Sequence, residues 1–145
     1  MSEIYLHDSL SNKKRKFEPI DHNHIRIYAC GPTVYNYAHI GNARMAVVFD
    51  SFVRLLRNKY PNVTYVSNIT DIDDKIIEAA NESNIPINEL TKKYTDIYNA
   101  DMSYLNVLSP DIQPKATEYV EDMICLLYTS PSPRDVEESR MPSSA

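Results

Sequence analysis

Three side chains able to do chemistry crowd into one stretch of the sequence: Cys30, His39 and Asn42 all lie between Ile25 and Arg44. A thiolate ligates soft metals, while an imidazole and a carboxamide donate hydrogen bonds to charge developing on a phosphate. The two glycines of the whole chain, Gly31 and Gly41, fall in the same stretch, a concentration that favours a functional reason for both. Gly41, beside His39, leaves room where a phosphate-bearing ligand needs close approach to the backbone. A second polar block follows at Asn68 to Lys75, with Thr70, Asp71, Asp73 and Asp74 inside it.

The elements that must position these residues follow from pattern. Ile25 to Tyr28 is a β-branched and aromatic run that stops at the breaker pair Gly31-Pro32, so it predicts a strand. Met45, Val48, Phe49, Phe52, Leu55 and Leu56 recur at spacings of three and four, which predicts a helix with those residues on its apolar face. Pro61 breaks that helix, and Asn62 to Asn68 predicts a second strand. Strand, helix and strand in that order make a parallel pair. Cys30, His39, Asn42 and Thr70 then open onto the crevice beyond the strand ends, where α/β sheets bind ligands and where a helix N-terminus receives anions.

Downstream, Asp71 is the expected N-cap of a helix carrying Ile72, Ile76, Ile77 and Ala80, which ends at Asn81 to Asn84. A third helix opens at Pro86 and Ile87 and turns Leu90, Tyr94, Ile97, Tyr98, Met102 and Leu105 to one side. Ser109 to Pro114 is expected as a turn, and Ala116 to Ile124 as the start of a fourth helix. Upstream, Ile4 to Leu6 and Phe17 to Ile20 predict two short strands, with Lys13-Lys14-Arg15-Lys16 as the solvated turn between them. The competing reading of those four cations is a contact to nucleic-acid phosphates. The tyrosines Tyr94, Tyr98 and Tyr104 stand at helical spacing and are read as core and interface rather than as base-stacking residues.

Composition bounds the answer. The chain has 145 residues, 43% of them hydrophobic and 24% charged, enough for one small domain with a core. A net charge of −5 argues against non-specific nucleic-acid affinity of the whole chain. No apolar run reaches the length of a membrane span, and the start of the sequence lacks the basic-then-apolar pattern of a signal peptide. Two cysteines without a framework pattern point to a reducing compartment, with the cytoplasm as the default.

Cys30-Gly31-Pro32-Thr33-Val34-Tyr35, then His39-Ile40-Gly41-Asn42, then Asn68-Ile69-Thr70-Asp71-Ile72-Asp73-Asp74-Lys75 together resemble the N-terminal catalytic segment of the cysteinyl-tRNA synthetase family. The His-Ile-Gly-Asn box alone resembles the nucleotide signature of all class I synthetases; three blocks in order are far more specific. The similarity runs from Ile4 to Ile124. It implies an α/β fold: the first half of a Rossmann-like, class I aminoacyl-tRNA synthetase nucleotide-binding domain with a parallel sheet, truncated.

The resemblance also implies roles. His39 and Asn42 are the catalytic pair, holding ATP phosphates while the amino-acid carboxylate attacks the α-phosphorus, and Gly31, Thr33 and Gly41 complete the ATP site. Asn42 stands where the commoner class I motif has a second histidine, so this position donates a hydrogen bond without carrying charge. Cys30, Gly31 and Thr70 hold the cysteine substrate, with Thr33 and Tyr35 as further candidates for that pocket. Cys30 matches the family's first zinc ligand; the other ligands lie outside this chain. An open zinc position binds a thiolate and leaves serine's hydroxyl poorly held, a distinction that shape alone cannot make. Cofactors and partners so implied are Zn2+, ATP with Mg2+, L-cysteine and tRNA(Cys), for a full-length monomeric cysteine–tRNA ligase of the cytoplasm. The fragment alone is expected to be inactive.

Each role has a plainer rival. A lone cysteine at a strand end is often a buried small hydrophobe, a lone histidine near an apolar helix a structural residue, and acids such as Asp73 and Asp74 helix caps. At the level of function, the rivals are the cysteine-activating ligase of thiol-cofactor synthesis, which uses no tRNA, and a non-catalytic nucleotide-binding module.

From Cys125 the helical period breaks. Cys-Leu-Leu-Tyr-Thr-Ser-Pro-Ser-Pro-Arg-Asp and the final Ser-Arg-Met-Pro-Ser-Ser-Ala resemble the translation of a transposase-based sequencing adapter. Residues 1–124 are therefore read as the native part of a catalytic domain, and 125–145 as a non-native tail excluded from fold reasoning.

Overall fold

A computed structural model describes residues 3–131. The part of the expected tail at 132–145 lies outside them. At the centre, β3 (Ile25–Ala29) and β4 (Val63–Ser67) pair in parallel, in register from Ile25↔Val63 to Ala29↔Ser67, joined by α1 (Ile40–Arg57). Before them, β1 (Tyr5–Asp8) and β2 (Lys13–Lys16) form an antiparallel hairpin. After them come α2 (Asp74–Ser83), α3 (Ile87–Tyr104), a 3-10 turn at Ala116–Tyr119 and α4 (Val120–Thr129). The expected α/β architecture with a parallel strand pair is present.

The core sits between this sheet and the helices. Ala29, Val53 and Tyr65 form one buried cluster, and Val34, Ala46, Ile69, Tyr98 and Met102 form another. Tyr98 and Met102 bring α3 onto the region just past the strand ends, so the helix that closes the fold also backs the crevice.

Five local expectations need correction. Lys13–Lys16 is strand β2 itself, and the turn lies at residues 9–12, with Asn12 left-handed at φ 52°. A fully exposed strand can carry a charge at every position, and two of these cations pair across the hairpin, Arg15 with Asp8 and Lys16 with Glu3. Phe17 to Ile20 is not a strand; only Phe17 N–H continues the ladder, donating to Ile4 C=O at 2.8 Å. The buried face of α1 is centred on Ala46, Asp50, Val53 and Leu56, leaving Val48 and Leu55 exposed. Asp50 rotates the face: its carboxylate accepts from Arg54 Nε and, at 2.9 Å, from Leu108 N–H, which ties the loop after α3 to the helix.

The fourth correction lies at Ser109 to Pro114, expected as a turn. Residues 111–116 run parallel to β4 as a partial third lane: Ser67 N–H donates to Ile112 C=O at 3.1 Å and Ile69 N–H to Pro114 C=O at 2.8 Å. Prolines suit this lane because it is an edge, where a missing N–H costs nothing. The fifth is Asp71. The N-cap of α2 is Asp73, which accepts from Lys75 N–H at 3.0 Å, and Asp71 is buried, accepting from Thr117 N–H at 3.0 Å and Thr117 Oγ at 2.6 Å.

Candidate functional site

The chain leaves β3 at Ala29 and does not enter α1 until Ile40, so Cys30 to His39 is an irregular segment whose backbone must find partners elsewhere. It finds them in the segment after β4. Thr70 N–H donates to Pro32 C=O at 3.0 Å, Val34 N–H donates to Thr70 C=O at 3.2 Å, and Thr33 and Thr70 form a parallel bridge. The two loops beyond the strand ends are thus stitched into one wall.

His39 is the N-cap of α1. Its backbone is extended (φ −103°, ψ 171°), and its Nδ1 accepts from Gly41 N–H at 3.0 Å. Asn42 completes the cap in reverse, its Oδ1 accepting from His39 N–H at 3.1 Å. These bonds fix which atoms remain. With Nδ1 an acceptor, the neutral ring carries its proton on Nε2; with Oδ1 engaged, Asn42 keeps its NH2. Each side chain therefore caps the helix with its acceptor and retains a donor. Gly41 makes this possible, since a Cβ there would lie 2.7 Å from His39 Cε1 and 2.9 Å from Nδ1.

A cavity of about 150 Å³ opens beside this cap, lined by Thr33, Tyr35, Tyr37, His39, Asn42 and Tyr94 among others. Tyr37 meets Tyr94 edge to face at 5.4 Å between ring centroids, and Lys75 Nζ lies 5.6 Å from the Tyr35 centroid. Tyr98, at the back, is buried, and that burial raises its phenol pKa.

Cys30, Gly31 and Thr70 do not line that cavity but cluster on the stitched wall. Gly31 N–H donates to Asn68 Oδ1 at 2.9 Å, and Asn68 Nδ2 donates to Thr70 Oγ at 3.2 Å. Cys30 is exposed and unpaired in any disulfide, with Sγ 3.6 Å from Gly31 C=O; it does not fill a core. Among the described residues no three His, Cys, Asp or Glu side chains converge to hold a metal. A tetrahedral zinc site needs about four ligands, so Cys30 and its described neighbours do not fit zinc by themselves. Asn68 is the site residue the sequence reading left without a role, although it opens the third motif block.

No described helix is long and apolar enough to cross a membrane. Among solved structures, the chain resembles Mycobacterium tuberculosis methionyl-tRNA synthetase in complex with methionyl-adenylate, with a TM-score of 0.57 at 20% identity, covering 61% of this chain and 17% of that one. That likeness is one of fold. Curated relatives named cysteine–tRNA ligase are far nearer in sequence: 48% identity over 124 residues in Rhodospirillum rubrum and 53% over 126 in Maricaulis maris, each alignment taking 86% of this chain. The chain spans 27% of the length of those two relatives. The family model described as the tRNA synthetases class I (C) catalytic domain matches residues 16–129, which includes the cap, the stitched wall and every candidate residue, and the chain belongs to that family.

Proposed function

We propose that this chain is the ATP- and cysteine-binding segment of a cysteine–tRNA ligase. The full-length enzyme activates L-cysteine with ATP and esterifies the 3′ end of tRNA(Cys). What carries the reading is the identity of about half the residues to curated cysteine–tRNA ligases across the entire crevice. The local chemistry supports it. In the first step a carboxylate oxygen of cysteine bonds to the α-phosphorus of ATP, the bond to the bridging oxygen breaks, and pyrophosphate leaves. In the second, a terminal hydroxyl of the tRNA takes the acyl group and AMP departs.

Neither step asks this segment for a nucleophile. Both depend on holding phosphates in place and balancing charge. His39 Nε2–H and the Asn42 NH2 are the donors for that task, set side by side at the start of α1; Thr33 lines the cavity beside them, Gly31 lets the two loops of the site meet, and Gly41 lets the His39 ring fold over the helix end. Thr70 and Cys30 hold cysteine on the opposite side. Mg2+ accompanies the ATP. Cys30 is one proposed ligand of a zinc ion whose other ligands lie outside this chain. We place the full-length protein in the cytoplasm as a monomer, and the fragment alone as inactive.

The test is cysteine-dependent ATP–pyrophosphate exchange by the full-length protein carrying this segment, followed by charging of tRNA(Cys). Exchange with cysteine, loss of most of it in His39→Ala and Asn42→Ala, and tRNA charging are the expected results. Exchange without charging, and coupling to an amino sugar instead, would replace this function with that of a thiol-cofactor ligase.

A further inference from the structure

Resting on the proposed function, we infer that Asn68 is a positioning residue that sets the polarity of the Thr70 hydroxyl toward the amino-acid substrate. The orientation of the Asn68 amide follows from its first partner. Gly31 N–H can only donate, so the atom 2.9 Å away must be the carboxamide oxygen. The NH2 therefore faces Thr70 Oγ, at 3.2 Å, and occupies one of its lone pairs as a donor. Thr70's own backbone groups are already spent, N–H on Pro32 and C=O on Val34. Among the described residues the hydroxyl hydrogen is donated to no acceptor, and Thr70 is only partly buried. It is left to donate outward, to an acceptor atom of the bound amino acid. Asn68 joins the β3 end, through the residue after Cys30, to the β4 end, so one side chain spaces the two groups assigned to cysteine.

Asn68→Asp separates this role from a purely structural one. Aspartate has the same shape and still accepts from Gly31 N–H. Its second oxygen, however, demands the Thr70 proton and turns the hydroxyl into an acceptor toward the substrate. A mispaired polar contact of this kind costs about tenfold or more in binding. In full-length enzyme, N68D is expected to raise KM for cysteine about tenfold, leave KM for ATP within about twofold, and lose most of that effect in a Thr70→Val background. Equal rises in both KM values, or an undiminished effect in T70V, would overturn the proposal and leave Asn68 as a strut for Gly31. A second measurement does not depend on turnover: one Asn68 side-chain NH2 proton should be downfield and slow to exchange by NMR in the wild type and lose that signature in T70V. Its absence from the wild type would refute the relay. Wild type without cysteine-dependent exchange would refute the proposed function, and the NMR signature would still decide whether Asn68 orients the hydroxyl.

Discussion

At Gly31 there is no room for a methyl group: a Cβ would sit 1.4 Å from the Asn68 carbonyl oxygen, a backbone atom that cannot swing aside. In the full-length protein, Gly31→Ala should therefore destabilise the fold by about 3 kcal/mol, at the upper end for overpacking, measured as a fall in the urea midpoint. A midpoint unchanged from the wild type would mean the two loops are not held this close. Gly41 is constrained differently, by the ring of its own neighbour His39. Two glycines concentrated beside the candidate chemistry were legible as meaningful in the sequence. That one serves the approach of two loops and the other the fold of an imidazole over a helix end was not, because both reasons depend on atoms brought in by folding.

Among the elements, the parallel pair and its crossover helix followed from period alone, while the edges of the sheet did not. Residues 111–116 look like a proline-punctuated turn, and only hydrogen bonds to β4, remote in sequence, make them a third lane. The pin that holds this lane to the crevice is Asp71, buried on Thr117. Asp71→Ala removes both acceptors and strands the Thr117 donors, a loss of about 2 kcal/mol expected in chemical denaturation; a change below about 0.5 kcal/mol would show that the pin is dispensable. In the separate β1–β2 hairpin, Asp8 accepts from Ser11 and Arg15, and these bonds lower its pKa to about 2 from an ordinary 3.8. Because the folded value is the lower one, this contribution to the hairpin is complete above the ordinary value and fades as pH falls from about 4 towards 2. NMR titration of the Asp8 carboxyl should give a midpoint near 2, and one at 3.8 would show the turn bonds absent in solution.

For the whole molecule, the outward surface is unusually apolar. Tyr28 is 65% exposed and Leu127 76%, and α4 buries none of its residues. Such patches, with the unpaired edge of β3, favour association between copies. The chain by itself should elute as large species in size-exclusion chromatography; a monodisperse, cooperatively melting preparation would contradict this. We propose in addition that Cys125 to Ala145 is translated adapter. Source DNA read past the codon for Ile124 should diverge from this tail, and a genome encoding the tail would refute it. The helix α4 spans the proposed junction, from Val120 to Thr129, and the family match also runs to residue 129.

By itself the sequence determined the family, the parallel pair, and the placing of Cys30, His39 and Asn42 between a strand end and a helix start. These are local matters of residue order and period. Only the tertiary structure decided which donors stay free. The Nε2–H of His39, the NH2 of Asn42 and the hydroxyl hydrogen of Thr70 are what remains after capping, stitching and Asn68 have taken the other atoms. Hydrogen-bonding groups are finite, and how they are shared depends on partners that folding alone brings within 3 Å or so.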